Sequence, residues 1–308
     1  MSRLSACTGI LVLVAPLAAQ SAAPRAPAGD PSAVLWSKLE QSIAGLDARL
    51  DGVLAVAIKD LTDGHMLLLH ADAVLPTAST IKIAVLAELY RQEQSGSGAH
   101  LRDGYVPDSA DVIAGSDMLG GMSFGVTRLT NRDLATFMVG VSDNGATNVL
   151  IQRVGMERVN ALLDSLGLKE TRLRRRMLDL EAARAGRENT ATPRELVMLL
   201  EALWSGKLLR GALRDDFFRV LATPKEKYLP RLLPESAKLA SKPGWLEGVR
   251  VDAGIGFAPH RPFAIAVMIS YSGDDRAAEQ AISELGLLAW RHFERLGSGG
   301  AYGRQMPP

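Results

Sequence analysis

Residues 53–69 read VLAVAIKDL-TDGH-MLLL, two short apolar segments on either side of the turn-forming dipeptide Asp63-Gly64. Short aliphatic and β-branched runs around such a dipeptide predict a β-hairpin. An amphipathic helix is predicted before the hairpin, because apolar residues recur there at helical spacing, namely Trp36, Leu39, Ile43, Leu46 and Leu50. The chain is therefore expected to open with a helix followed by two strands.

Three further strands are predicted near the C-terminal end, at residues 238–241, 251–257 and 263–271, followed by a helix from Asp274 to Arg295. Between these flanks we expect helical structure throughout, and Thr192-Pro193-Arg194-Glu195 has the form of a helix capping box. Strands at both ends of a helical middle predict one sheet closed by the two ends of the chain. An all-helical lobe is then inserted between the second and third strands, and a cleft lies between the lobes.

Composition places the chain among ordinary globular proteins. With 308 residues, of which 47% are hydrophobic, it is long enough to bury a full core. The formal net charge is +1, so no broad basic surface favours nucleic acid, and the one basic cluster, RLRRR at 172–176, is interpreted as solvated or locally paired. We expect a small-molecule substrate, no nucleic-acid partner and a monomer.

The N-terminal segment has the layout of an export signal. Arg3 is followed by an apolar stretch at 9–17 and by small residues at 18–23, a segment too short for a stable membrane span. The mature protein is therefore predicted to be periplasmic or secreted. The predicted organisation outside the folded unit is a signal peptide at 1–23, a linker at 24–33 and a flexible tail at 297–308.

The segment Ser79-Thr80-Ile81-Lys82 places a hydroxyl and an amine one helical turn apart on the same face of a helix. An amine in that position can take the serine proton if burial or nearby cations keep it partly neutral. The alternative is structural, because Ser79 after Pro76-Thr77-Ala78 also fits a helix N-cap.

Two further motifs follow in the chain. Ser142-Asp143-Asn144 supplies a second hydroxyl and an amide at a predicted helix-to-helix turn, although a simple Asx turn would explain it as well. Lys242-Pro243-Gly244 follows a predicted strand, with a second ammonium and a glycine that lets a substrate backbone approach closely. Three polar motifs therefore occur in a definite order.

In that order the motifs resemble those of the penicillin-recognising serine enzymes, specifically the class A β-lactamases, whose motifs are Ser-x-x-Lys, Ser-Asp-Asn and Lys-Thr-Gly. The resemblance spans residues 34–296 and includes the segments DNGATN (143–148), LGL (166–168), TRL (171–173) and NTATP (189–193). It implies an α/β (α+β) fold, with an antiparallel five-stranded sheet flanked by helices and an inserted all-helical lobe. The implied α/β lobe comprises residues 34–73 and 230–296, and the helical lobe comprises residues 74–229.

The resemblance also implies a role for each motif residue. Ser79 would attack a lactam carbonyl, Lys82 would accept its proton, and Ser142 with Lys242 would relay a proton to the departing nitrogen. Neither a metal nor an organic cofactor is expected, because the histidines lack a ligand spacing with an acidic neighbour.

Five residues are implied in substrate binding, namely Asn144, Lys242, Gly244, Trp245 and Arg250. Asn144 would hold Lys82 and a substrate amide, and Gly244 would let a substrate backbone approach closely. The backbone N–H groups of Ser79 and Trp245 would form an oxyanion hole. Arg250, on the next strand, is assigned to the substrate carboxylate, with a solvated strand arginine as the alternative.

The sequence departs from the family pattern at several positions. Pro243 replaces a threonine whose hydroxyl would contact the substrate. Alignment from TRL (171–173) puts Met177 where class A enzymes carry the glutamate that activates the deacylating water. Glu181 falls at the asparagine position four residues later, where its carboxylate could activate the same water, and the alternative is an acid on the surface of the loop.

The neck of the loop that carries these positions is altered as well. Arg175 occupies the family's arginine position, while Asn189 replaces the aspartate that would pair with it, and Glu188 is a candidate substitute. A neck without a charge pair would be loose, and we expect a mobile loop to position water poorly.

These residues indicate a serine β-lactamase that works through an acyl-serine intermediate. Two alternatives stay open from sequence. One is a peptidase or esterase acting on D-alanyl peptides or other acyl esters. The other is a β-lactam-binding protein that remains acylated.

Overall fold

The computed structural model describes residues 29–300 and 302–305. The predicted signal peptide and the first residues of the predicted linker lie outside this range. The helices are α1 Pro31–Asp47, α2 Lys82–Ser95, α3 Asp117–Gly120, α4 Asn131–Gly140, α5 Asn144–Val154, α6 Met156–Ser165, α7 Leu180–Arg184, α8 Pro193–Trp204, α9 Gly211–Leu221 and α10 Asp275–Ser298. The strands are β1 Val53–Asp60, β2 Met66–Leu69, β3 Leu75–Pro76, β4 Gly104–Tyr105, β5 Leu129–Thr130, β6 Thr190–Ala191, β7 Leu239–Leu246, β8 Val249–Gly256 and β9 Phe263–Ser270.

The central sheet has five antiparallel strands, as the resemblance implied, and the structure gives their order as β2-β1-β9-β8-β7. The hairpin of β1 and β2 forms around Asp63-Gly64, with Lys59 opposite Met66. Strand β9 pairs with β1 along its whole length, from Val53 opposite Ser270, so the two ends of the chain close one sheet. Strand β7 lies at the edge of the sheet, and one row of its backbone groups has no partner strand.

The two faces of the sheet pack against different helices because side chains alternate along each strand. On β1, Leu54 and Val56 belong to the apolar cluster that includes buried residues of α1 and α10. Ala55 and Ala57 belong to the cluster on the other face, where α8 crosses β1 and β9. Small alanine side chains allow this close approach of helix to sheet.

The region between β2 and β7 is mainly helical, but the expectation of helix throughout is wrong. Two-stranded sheets also form there, β3 with β6 and β4 with β5. In the first, Leu75 pairs with Ala191 and Pro76 with Thr190. This pairing ties the segment before Ser79 to the end of the 171–190 loop.

Several observed boundaries differ from the predicted ones. Helix α1 begins at Pro31, inside the predicted linker, because Asp30 accepts a capping hydrogen bond from the Ser32 N–H. Helix α10 continues to Ser298, and Gly299 forms an isolated bridge with Gln305, within the predicted tail. Within the described part of the chain, no helix has the length and hydropathy needed to cross a membrane.

Strand β7 is the largest difference. It continues to Leu246, so Lys242-Pro243-Gly244 lies inside a strand and not after one. Proline lacks an N–H donor and is tolerated in an edge strand where that position faces away from the ladder. The N–H of Trp245, two residues further on, then points in the same outward direction.

Candidate active site

Ser79 lies in a 3-10 turn, Ala78–Ile81, that leads directly into α2. Its side chain makes no hydrogen bond to any described residue, and no side-chain hydrogen bond caps the turn or α2. The N-cap alternative is therefore not observed. Ala78 has φ +46°, a conformation that residues with a side chain rarely adopt. Thr80 Oγ1 donates to the Lys242 carbonyl at 2.9 Å and so joins the turn to β7.

Lys82 is the first residue of α2 and is completely buried. Its Nζ atom donates to the Ser142 carbonyl at 2.7 Å, to Ser142 Oγ at 3.1 Å and to Asn144 Oδ1 at 2.9 Å. Burial lowers the pKa of Lys82 well below its ordinary value, the Lys242 ammonium lowers it further, and Asp143 acts in the opposite direction. A buried amine with a depressed pKa is the species that can accept a proton.

The turn between α4 and α5 presents Ser142 and Asn144 to this amine. Ser142 has φ +61°, and the Asn144 N–H donates to the Gly115 carbonyl at 2.8 Å. A Cβ at Gly115 would lie 2.7 Å from Asn144 Nδ2, so glycine is needed for the loop to hold this amide. Asp143 Oδ1 accepts from the Ala146 N–H at 2.9 Å. Asp143 is therefore the N-cap of α5 and not a simple Asx turn, while the side chains on either side of it reach Lys82.

Lys242, on β7, approaches Ser142 from the opposite lobe. Its Nζ atom donates to Ser142 Oγ at 3.1 Å and to the Pro243 carbonyl at 2.8 Å. Burial lowers the pKa of Lys242 to about 7, with repulsion from Lys225 acting in the same direction and attraction to Asp252 opposing it. The Ser142 hydroxyl therefore lies between two buried amines and can pass a proton from one side to the other. We call Lys82, Ser142, Asn144 and Lys242 the lysine cluster.

Gly244 sets the distance between β7 and the turn that carries Ser79. A Cβ at this position would lie 2.7 Å from the Ser79 backbone nitrogen and 2.9 Å from the Thr77 carbonyl oxygen. The sequence argument gave this glycine the task of admitting a substrate backbone, whereas the structure shows the protein's own backbone filling that space. Trp245, the next residue, is 68% exposed on the edge strand.

The structure does not bring Arg250 to the lysine cluster. Its side chain is only 8% exposed and pairs with Asp275 at 2.6 Å and with Glu279 at 3.1 Å, both on α10. It also donates to the Leu246 carbonyl at 2.8 Å. The alternative of a solvated arginine is not observed either. A substrate carboxylate would have to compete with two protein carboxylates for this guanidinium.

Met177 and Glu181 lie on the loop at residues 171–190. The Asn148 side chain accepts from the Met177 N–H at 2.8 Å and donates to the Met177 carbonyl at 3.1 Å. Met177 is buried, whereas Glu181 is exposed on α7 and its carboxylate makes no hydrogen bond to the residues the structure describes. The structure thus does not bring Glu181 into the lysine cluster.

An ion pair closes the neck of this loop, and Glu188, the candidate substitute for the missing aspartate, provides its carboxylate. Arg175 Nη2 lies 2.7 Å from Glu188 Oε1, and the arginine is buried. Asn189 Oδ1 accepts from the N–H groups of Arg174 at 2.7 Å and Arg175 at 3.0 Å. The Asn189 carbonyl also accepts from the Thr77 N–H at 2.9 Å, which joins the neck to the Ser79 segment.

Sequence reasoning missed several residues that position the site. The Asn148 side chain hydrogen-bonds both the N–H and the carbonyl of Met177. The only sequence signal for this residue was its position in the DNGATN segment. Lys225 and Asp252 act on Lys242 through their charges, and no motif marks them. Among residues 29–300 and 302–305, no group of histidine, cysteine, aspartate or glutamate side chains has the arrangement of a metal site.

Comparison with known sequences is consistent with this geometry. A family model described as the β-lactamase enzyme family matches residues 38–293. A β-lactamase of Streptomyces lavendulae is 27% identical over 273 residues, covering 87% of each chain. The β-lactamase AST-1 of Nocardia asteroides is 31% identical over 241 residues, covering 76% of each chain.

Solved structures share the architecture. A β-lactamase of Sphaerobacter thermophilus superposes with a TM-score of 0.75 at 30% identity, covering 83% of this chain and 97% of the other. An ancestral class A β-lactamase superposes with a TM-score of 0.76 at 27% identity, covering 83% of this chain and 100% of the other. The fold of PBP-A is also shared, at 24% identity and a TM-score of 0.75 over 84% of this chain and 96% of the other. The chain therefore belongs to the β-lactamase enzyme family and has the fold of its class A members.

Proposed function

We propose that this protein is a serine hydrolase that opens the amide bond of β-lactams through an acyl-serine on Ser79. The observation that carries the proposal is the buried Lys82 amine, which hydrogen-bonds Ser142 and Asn144 one turn after the unpartnered Ser79 hydroxyl. Membership of the β-lactamase family supports β-lactams as the substrate class.

In the proposed acylation, neutral Lys82 accepts the proton of Ser79 as the serine Oγ bonds to the lactam carbonyl carbon. The oxyanion that develops lies between the backbone N–H groups of Ser79 and Trp245. As the carbon–nitrogen bond breaks, the Ser142 hydroxyl donates its proton to the departing nitrogen. Lys82 or Lys242, each 3.1 Å from that hydroxyl oxygen, then replaces the proton.

We expect the affinity for substrate to be weaker than the Lys-Thr-Gly motif of class A β-lactamases would give. Pro243 supplies no hydroxyl, and Arg250 is engaged by two carboxylates on α10. Of the two basic residues assigned to substrate binding, Lys242 then remains next to Ser142. Because its pKa is about 7, its positive charge declines as the pH rises above neutrality. We therefore expect acylation to weaken on the alkaline side.

Release of the acyl group is the slower half of the proposed cycle. Met177 is buried and has no proton acceptor suited to activating water, and Glu181 is exposed. These observations favour a second candidate function, a β-lactam acceptor that holds the adduct for a long time. A peptidase or esterase acting on D-alanyl or other acyl groups stays a prediction that uses the same serine chemistry.

A chromogenic cephalosporin, followed by intact-protein mass measurement, separates these functions. Sustained colour development supports hydrolysis, and one stoichiometric burst with a persistent mass increase supports the acceptor. Absence of any reaction with the cephalosporin, together with cleavage of a D-alanyl peptide or ester, supports the peptidase or esterase function. Ser79→Ala should abolish every adduct, while Ser37→Ala, at an exposed position on α1, should behave as the parent protein. Acylation retained in Ser79→Ala would overturn the proposal.

Export is proposed on the sequence alone, because residues 1–28 lie outside the described part of the chain. The apolar stretch at 9–17 after Arg3 is the basis. Expression of the full chain, fractionation of the cells and N-terminal analysis of the product should give a mature protein that begins near residue 24. A product that retains residues 1–23 in the cytoplasm would contradict this proposal.

A further inference from the structure

Two ionisable side chains near Lys242 have no part in the chemistry described above. Lys225 lies in the segment after α9, and Asp252 lies on β8 directly opposite Pro243, the residue after Lys242. Lys225 and Ser241, the residue before Lys242, line the same cavity of about 650 Å³. Asp252 and Lys225 therefore lie beside the segment of β7 that carries Lys242.

Asp252 is fully buried within the sheet. Its Oδ2 atom accepts from the Leu229 N–H at 3.2 Å, while Oδ1 has no hydrogen-bond partner among the described residues. A buried carboxylate with an unpartnered oxygen is costly unless nearby positive charge compensates for it. The positive charges that act on Asp252 are those of Lys225 and Lys242.

Lys225 is held by backbone groups and not by a carboxylate. Its Nζ atom donates to the Leu221 carbonyl at 3.0 Å and to the Thr223 carbonyl at 2.6 Å. Leu221 is the last residue of α9, so the ammonium is bound by the free carbonyls at the end of a helix, where a cation is favoured. The position of this charge is therefore set by the fold.

We propose that Lys225 and Asp252 are positioning residues that, with Lys242, form a charge group controlling the charge of Lys242 at the Ser142 hydroxyl. The inference rests on the proposed function for its catalytic consequence, but the electrostatic coupling is a property of the folded chain. Lys225 repels the Lys242 ammonium and Asp252 attracts it, so the two residues act in opposite directions.

The ionisation behaviour of the group agrees with this arrangement. Burial lowers the pKa of Lys225 to about 8, with Asp252 opposing, and burial raises the pKa of Asp252 to about 7. These values, like that of Lys242, lie near neutrality, where small changes in charge alter the protonation of all three groups.

Other charged groups also surround this region, and Asp215, Arg219, Glu235 and Lys238, which line the same cavity as Lys225, are unchanged in the variants proposed below. From the helical lobe, Lys82 faces Lys242 and Asp143 faces Lys82. On the sheet side, Tyr228 precedes Leu229, and burial raises its pKa well above the ordinary value, so it stays neutral near pH 7. Neither Lys82 nor Asp143 is changed in the variants proposed below, so shifts in Lys242 report on Lys225 and Asp252.

The direct test is titration of the Lys242 side chain by nuclear magnetic resonance, with isotope-labelled lysine and the signal assigned through Lys242→Arg. Lys225→Met should raise the titration midpoint by about 0.5 to 1 pH unit, and Asp252→Asn should lower it by a similar amount. Lys227→Met, at an exposed position on the same segment, should leave it unchanged. Midpoints that do not move in Lys225→Met would overturn the inference, even if Asp252→Asn failed to fold.

A second readout connects the group to catalysis. The alkaline limb of Ser79 acylation by a β-lactam, measured from pH 5 to 10, should move upward in Lys225→Met and downward in Asp252→Asn. Lys225→Arg should retain the parent profile, because it keeps the charge. A midpoint that moves in the resonance titration without any Ser79 adduct would refute the proposed function and leave the charge coupling intact. Equal loss of acylation at every pH would indicate a merely structural role.

Discussion

The lysine cluster and the 171–190 loop differ in the kind of atom that their hydrogen bonds connect, side-chain atoms in the cluster and mainly backbone atoms in the loop. In the cluster they end on reactive side-chain atoms, since Ser142 Oγ lies 3.1 Å from each of two lysine amines. In the loop they end mainly on the backbone, as in the bonds from Asn148 to Met177. Backbone hydrogen bonds thus hold the loop in place without bringing Glu181 to the lysine cluster. The comparison teaches that the order of a loop and the placement of its carboxylates are separate properties.

The largest expected effect tests the cluster. Lys82→Met should reduce the rate of Ser79 acylation by about 10³-fold, because it removes the amine that lies one helical turn after the serine. Lys82→Arg should be equally impaired, since a guanidinium stays protonated in proteins and cannot act as a base. Time-resolved mass measurement of the adduct checks both. Acylation close to the parent rate in Lys82→Arg would show that charge, and not proton transfer, is the role of this residue.

Gly244 tests how precisely the cluster faces Ser79. Gly244→Ala should slow acylation by about 10²-fold, because the new Cβ would meet backbone atoms of Ser79 at 2.7 Å and Thr77 at 2.9 Å and displace the oxyanion site. The matched control is Gly45→Ala on α1, where an added Cβ meets no atom within 4 Å. Parent-like acylation and an unchanged melting temperature in Gly244→Ala would contradict the close approach of β7.

The loop can be tested by adding the missing group. Met177→Glu should increase steady-state turnover of a chromogenic cephalosporin about tenfold, because the Asn148 bonds already hold the backbone of residue 177. Some loss of stability is expected, on the order of 1–3 kcal/mol, from burying a carboxylate. Met177→Gln has a similar shape without basicity and should leave the adduct long-lived. Equal turnover in the two variants would show that the loop lacks more than a base.

The smallest effect concerns Glu181. Its side chain is exposed and unpartnered among the described residues, so Glu181→Gln should change turnover by less than about twofold. Steady-state kinetics and adduct lifetime measure this. A trapped adduct on Ser79 in the variant would instead establish Glu181 as the base and make the loop an active partner of the cluster.

Sequence patterns predicted elements well where the local signal agreed with the tertiary environment. The hairpin of β1 and β2 and the strand β9 follow directly from apolar periodicity. Strand β7 was predicted too short because Pro243 and Gly244 are poor strand formers, and their placement depends on an edge position that only the sheet provides.

The capping box at Thr192 shows the same division on a smaller scale. Thr192 Oγ1 accepts from the Glu195 N–H at 3.1 Å, as predicted. The Glu195 carboxylate does not return to Thr192, however, and accepts instead from the N–H groups of Lys169 at 2.8 Å and Thr171 at 2.6 Å. Local sequence thus identified the start of the helix. The Glu195 carboxylate, which would complete the capping box, instead binds a segment that is remote from it in sequence.

The sequence by itself determined the order of the strands along the chain, the residues of the three motifs and the presence of methionine at position 177, since these depend on residue type and spacing. Only the tertiary structure decided that Lys82 and Lys242 share the Ser142 hydroxyl and that Arg250 turns to α10. The physical reason is that burial and Coulomb interactions set the pKa of each amine. Those quantities come from groups far apart in sequence, such as Lys225 and Asp252, that meet only when the sheet is closed.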